Sequence, residues 1–138
     1  MKFLTVNERP EHLTRMTSSA GIAKEMASVG KMDRESVWVI HLDARLQVIS
    51  KEMVTLGLVN ASLLHPREIF RRAIIEGSSA IIMVHNHPSG DDSPSNEDLT
   101  ITKQIREAAK IIGIDFLDHI IVTPHAKKYF SFADRGIL

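Results

Sequence analysis

Residues 79–98 read SAIIMVHNHPSGDDSPSNED, and this stretch decides the fold and points to the chemistry. Ala80-Ile81-Ile82-Met83-Val84 is short and wholly apolar, as expected of a central strand covered on both faces. It runs directly into His85. The loop that follows is dense in Pro, Gly, Asp and Asn, and a helix begins at Ser95, with Ile101, Ile105, Ala108 and Ile112 on one stripe and Gly113 after it. In extended backbone, residues two apart point to the same side, so His85 and His87 can aim both imidazoles at one point as the strand opens. Asp98, in the first turn of the next helix, supplies a third ligand, and a tetrahedral zinc held this way keeps a fourth position open for water. Such a zinc lowers the pKa of its water toward ~7. Ser95 stands at the helix N-terminus, where its hydroxyl can donate to a developing oxyanion.

Blander roles exist for each residue. Ser95 and Asp98 also form a variant capping box, with Asp in place of the usual Glu or Gln. A loop His-x-His can be polar surface, and Pro88 and Gly90 shape the turn without ligating anything. The combination favours the metal, because a capping box does not ordinarily follow a histidine pair at the mouth of an apolar strand.

Upstream of the core stretch, Ile22, Met26 and Val29 have the spacing of an amphipathic helix running from Ser18 or Ser19 to a stop at Gly30. Residues 36–42 are rich in β-formers, and Leu46 to Thr55 resumes the alternation, which predicts a hairpin with a short extended segment after Gly57. Pro66 starts a second helix with Ile69, Phe70, Ala73 and Ile74 on one face and a stop at Gly77. Arg67, Glu68, Arg71 and Arg72 form its solvated outer face. Downstream, Phe116 to Thr123 and Tyr129 to Phe132 add two strands. Residues 1–16 are read as an arm and 17–138 as a single domain. Helices interspersed among hairpins predict a mixed sheet flanked by helices, of the α/β class in its looser, α+β sense.

Composition narrows the function. The chain has 138 residues, no cysteine, and 17 basic against 17 acidic side chains. Without cysteine there is no disulfide, thiolate ligand or thiol nucleophile, so a metal must use His, Asp or Glu. Zero formal charge gives no strong nucleic-acid signal. The opening MKFLTVNERP meets charge too early for a signal-peptide core or membrane span, so the expected residence is cytoplasmic. Isolated His12, His41, His65 and His125 are read as structural or solvent-facing. Asp118-His119 interrupts an apolar strand and is expected to brace a site by hydrogen bonds to its ligands.

The pattern His85-x-His87, seven residues, Ser95, two residues, Asp98 resembles the JAMM metallopeptidase signature of JAB/MPN domains. HNHPSG with PSNED, the preceding HPREIF and the later DHIIV look like the JAB domain of RadC-type proteins, over about Thr17 to the C-terminus. The resemblance implies a curved mixed sheet of cytidine-deaminase-like architecture, one zinc on His85, His87 and Asp98, and Ser95 near the reacting carbonyl. It also implies a general base at the start of the first strand, which falls on Glu35; local sequence does not select that residue. RadC-type proteins usually carry an N-terminal helix-hairpin-helix segment, for which these residues leave no room, so a JAB domain standing alone or taken from a longer protein is expected. The implied function is a zinc metallopeptidase or isopeptidase acting on a peptide or protein substrate. The alternatives are a non-catalytic MPN-type interaction module and a metal-dependent nuclease linked to DNA repair. The acidic Asp91 and Asp92 beside the site disfavour the nuclease. Oligomeric state is not fixed by these residues.

Overall fold

A computed structural model describes residues 18–57 and 64–138. The expected N-terminal arm and the extended segment after Gly57 lie outside these residues. The chain forms α1 (Ser19–Glu25), α2 (Ala27–Gly30), β1 (Ser36–Leu42), β2 (Val48–Leu56), α3 (Pro66–Glu76), β3 (Ala80–Asn86), α4 (Asn96–Ile112), β4 (Asp115–Val122) and β5 (Tyr129–Ser131). The strands make one sheet in the order β2-β1-β3-β4-β5. All neighbours are antiparallel except β3 and β4, which run parallel with α4 as their crossover. This is the mixed sheet flanked by helices that the sequence predicts.

Alternation along β3 divides the core. Ile82 and Val84 face α1 and α2, packing with Ile22, Ala23, Met26, Val29 and Ile40. Ile81 and Met83 face α3 and α4, packing with Ile69, Phe70, Ala73, Ile101 and Ile105. All seven β3 residues are buried, which explains the unbroken apolar run. By the same alternation His85 emerges on the α4 side and Asn86 on the α1 side.

Several boundaries differ from expectation for local reasons. The first helix is broken at Met26 (φ −100°, ψ 19°), so that Met26 stays buried and the following turn brings Gly30 against the backbone of Thr123. The second strand of the hairpin starts at Val48, because Leu46 belongs to the turn and adopts a left-handed φ of 62°. Asp43 builds that turn, its Oδ1 accepting from the amides of Arg45 and Gln47 at 2.8 and 3.0 Å. Ile74 is exposed, since it stands ~100° round the helix from the buried Ala73. On α4, Ala108 is only half-buried and Ile112 is exposed, while Asp98, Thr102 and Ala109 are buried with Ile101 and Ile105. The buried stripe is turned toward polar residues that meet the sheet.

His41 is fully buried on β1, its Nε2 3.2 Å from Glu52 Oε1 and its Nδ1 3.4 Å from Ser78 Oγ. Burial pushes the imidazole below its ordinary 6.5, only partly opposed by the Glu52 hydrogen bond and the charges of Glu76 and Glu52, with Arg72 adding to the depression. Above pH 6.5 both folded and unfolded chains carry a neutral His41, and its contribution to stability is complete. As pH falls below 6.5 the unfolded chain takes up a proton that the folded chain refuses, and stability is lost. Urea unfolding at pH 7.5 and 5.5 is therefore expected to show a larger loss in the wild type than in His41→Gln. Equal losses would remove His41 from this account.

Candidate metal centre

The antiparallel register of β1 on β3 pairs Val37 with His85, and this places Glu35, two residues before Val37, beside the end of β3. Glu35 Oε1 lies 3.6 Å from His85 Nε2. One donor atom each from Glu35, His85 and His87 falls within a 4.8 Å group, with Glu35 part-exposed and both histidines buried.

Asp98 approaches from α4. Its Oδ2 is 3.0 Å from His87 Nε2 and its Oδ1 is 2.9 Å from His85 Nδ1. The second approach lacks hydrogen-bond alignment, so that both ring nitrogens of His85 and Asp98 Oδ1 are buried without a hydrogen-bond partner. Ligands of one tetrahedral zinc, at bond lengths of about 2.0–2.2 Å, stand roughly 3.4 Å apart. Asp98 lies a little closer than that to each histidine, and Glu35 a little farther from His85; Asp98 approaches His85 at Nδ1 and Glu35 approaches it at Nε2, so a single cation can use only one of those two ring nitrogens. Orphaned polar atoms at this depth are costly unless something satisfies them, and two imidazoles with a carboxylate suit a borderline cation such as zinc. The donor set therefore fits a metal: Glu35, His85 and His87 form the group within reach of one ion, and Asp98 lies against both histidines.

The loop presets one histidine. His87 Nδ1 lies 2.7 Å from the Asp91 carbonyl and donates to it, which turns Nε2 toward the site, 3.0 Å from Asp98 Oδ2. The His87 amide donates to Val122 O at 2.9 Å, fixing the loop to the end of β4. Burial works against charge on His87, but the Asp98 and Asp91 hydrogen bonds and the charges of Asp98 and Glu35 together raise its pKa. Burial also pushes the Asp98 carboxyl up. Its contacts with His85 and His87, the charge of His85 and the Ser95 amide outweigh that and hold it well below the usual carboxylate range.

Ser95 is the N-cap of α4 in a complete capping box. Its Oγ accepts from the Asp98 amide at 3.1 Å, and its own amide donates to Asp98 Oδ2 at 2.8 Å. The structural reading and the functional one thus hold together: the cap fixes the Asp98 carboxylate, and the Ser95 hydroxyl proton remains available. A cleft of about 520 Å³ opens beside the site, lined by Glu35, His87, Pro88, Ser89, Asp91 and Ser95 among others. Among the described residues, no lysine or arginine lines it.

Sequence reading passed over Asn86, the residue between the two histidines. It is fully buried on the opposite face of β3. Its Oδ1 accepts from the Ser36 amide at 2.7 Å and the Ser36 hydroxyl at 2.8 Å, and its Nδ2 donates to Arg34 O at 2.9 Å. Asn86 thereby clamps the backbone on both sides of Glu35. The signal was present: a polar side chain that alternation places under the sheet must find partners.

The Asp118-His119 pair divides. Asp118 turns away from the site to accept from Ser131 Oγ at 2.5 Å and the Ala133 amide at 2.9 Å, while burial pushes its carboxyl up. His119 lies on the metal side, 6.3 Å from His85 between ring centroids, and burial with the charge of His85 pushes its imidazole down to about 3. His65 and His125 are exposed, as expected of isolated histidines. No helix among the described residues is long and apolar enough to cross a membrane.

Comparison with known proteins agrees with the motif. Residues 16–137 match the RadC-like JAB domain family. A UPF0758 protein of Methanosarcina acetivorans is 46% identical over 105 residues, covering 76% of this chain and 45% of the relative. One from Thermotoga maritima is 43% identical over 124 residues, 90% and 55% of the two chains. One from Chlorobium phaeovibrioides is 51% identical over 105 residues, 76% and 46% of the two chains. The chain thus spans about half the length of these relatives. With the fold, the site geometry and the match over nearly its whole length in agreement, the chain belongs to the RadC-like JAB domain family.

Proposed function

We propose that this domain is a zinc-dependent hydrolase that cleaves an amide bond in a peptide or isopeptide-linked protein substrate. The observation that carries the reading is the convergence of His85, His87, Asp98 and Glu35, with His85 Nδ1 and Nε2 and Asp98 Oδ1 buried and unpartnered. Zinc bound there supplies Lewis acidity, lowering the pKa of a coordinated water and polarising a carbonyl. Glu35 is the most exposed of the four and lines the cleft, which suits it to take a proton and return it to the leaving amine. Ser95, at the cleft wall, donates its hydroxyl proton to the carbonyl oxygen as negative charge develops. Glu35 and Asp91 in the cleft make it a poor seat for a polyanion, which weighs against a nuclease.

The test begins with metal. Purified chain is expected to hold about one zinc, and zinc at 100 times its Kd is expected to stabilise the wild type by about 2.7 kcal/mol but not His87→Ala. Peptide and isopeptide substrates then report cleavage. A wild type that takes up no zinc after reconstitution overturns the reading. Bound zinc without cleavage, alongside a stable protein partner, would instead make the domain an interaction module.

A further inference from the structure

We infer that His119 and Thr102 form a positioning pair that sets the metal affinity of the site: His119, through the Thr102 hydroxyl, holds the start of α4 where the Asp98 carboxylate meets both histidines. The inference rests on the metal reading above.

A β-bulge decides which half of the Asp118-His119 pair faces the metal side. In the parallel register of β4 on β3, Ile81 pairs with Phe116 but Ile82 pairs with Asp118, so Leu117 is an extra residue. Without it, Asp118 would stand opposite Met83 and share the face of His85. With it, Asp118 joins Ile82 on the α1 side, and His119 takes the place opposite Met83.

On that face His119 is buried and tightly oriented. Phe132 stacks on its ring with centroids 4.5 Å apart and planes 6° apart. Nδ1 lies 2.6 Å from Thr102 Oγ1, and Thr102 Oγ1 lies 2.7 Å from the carbonyl oxygen of Asp98. The ring is outside the group of donors formed by Glu35, His85 and His87, so it acts on the metal site through another residue. Thr102 is four residues after Asp98 and on the same helix face.

A threonine inside a helix can satisfy its hydroxyl on the i−4 carbonyl alone, so Thr102 does not need His119. Nor does packing need an imidazole here, since burying one costs free energy that a leucine would not. What the pair adds is direction. The other α4 residues facing the sheet, Ile101, Ile105 and Ala109, pack by apolar contact, which is non-directional and tolerates sliding along the helix axis. A short hydrogen bond does not tolerate it. His119–Thr102 is thus a fixed-length polar tether between β4 and the helix that carries Asp98. Hydrogen-bond partners behind metal ligands are typically worth 10–100-fold in metal affinity.

The experiment measures zinc and cobalt affinity by chelator competition, with cobalt absorption reporting ligand geometry and circular dichroism reporting the fold. His119→Leu and Thr102→Val are expected to bind each metal about 10–100-fold more weakly with a shifted cobalt spectrum. Thr102→Ser, which keeps the hydroxyl, is expected to rescue affinity to near the wild-type value. Ile105→Val trims the same helix face without touching the tether and is expected to leave affinity unchanged. Folded Thr102→Val with wild-type affinity, Thr102→Ser as weak as Thr102→Val, or Ile105→Val as weak as either would each overturn the inference. Should His119→Leu fail to fold, the two Thr102 variants decide. A wild type that binds neither metal removes the metal reading and this inference together, whereas equal binding by all variants removes the inference alone.

Discussion

Glu35→Gln is expected to slow amide hydrolysis by roughly 10²–10⁴-fold, the usual contribution of a positioned general acid-base, while zinc affinity stays within a few-fold of wild type. The asymmetry follows from the site. His85, His87 and Asp98 are buried and preset by one another, by the Asp91 carbonyl and by the Ser95 cap, so they can hold a cation without Glu35. Gln keeps the shape and polarity of Glu35 but cannot accept a proton at neutral pH. The measurement is kcat and KM on a peptide or isopeptide substrate beside zinc stoichiometry. Undiminished kcat would strip Glu35 of its role, and a collapse of zinc binding would make it a ligand instead of a base.

Gly30→Ala is expected to be the costliest small substitution for stability. A Cβ at Gly30 would stand 2.3 Å from the Thr123 carbonyl oxygen and 3.1 Å from its carbon. Both are backbone atoms, so no side chain can swing aside. Nor can the Thr123 segment yield easily: its Oγ1 donates to the Lys128 carbonyl and accepts from the His125 amide, and the adjacent Val122 carbonyl holds the His87 amide. Overpacking usually costs about 1–3 kcal/mol, and this contact belongs at the upper end. Urea denaturation reads the loss directly; a change below about 1 kcal/mol would mean that α2 shifts freely. Because Val122 is the neighbour of Thr123, zinc affinity is expected to fall along with stability.

That glycine illustrates how the sequence and the structure divide the information. Gly30 reads as a helix stop, yet what requires glycine is a close approach to the backbone of Thr123, just past β4 and more than ninety residues later. The zinc-ligand candidates on β3 and α4 were legible because His85, His87, Ser95 and Asp98 lie within fourteen residues, where strand alternation and helix capping fix directions. Glu35 was legible only through family resemblance. Its place depends on the β1–β3 register, which is a property of the whole sheet. The two polar residues at 118 and 119 could be flagged but not told apart, since a bulge at Leu117 decides which one faces inward and bulges leave little local trace. The α4 stripe was misjudged at Ala108 and Ile112 because an apolar count overlooks Asp98 and Thr102, which are buried for their hydrogen bonds.

The position of β3 in the sheet has a consequence for how the domain opens. The strand that carries His85 and Asn86 is third of five, paired on both sides and buried along its length. Its amides should be among the last to exchange with solvent deuterium, opening only when the whole molecule unfolds, while β2 and β5 at the margins fray at lower free energy. His85 and Asn86 are therefore expected to keep their places until the molecule opens as a whole.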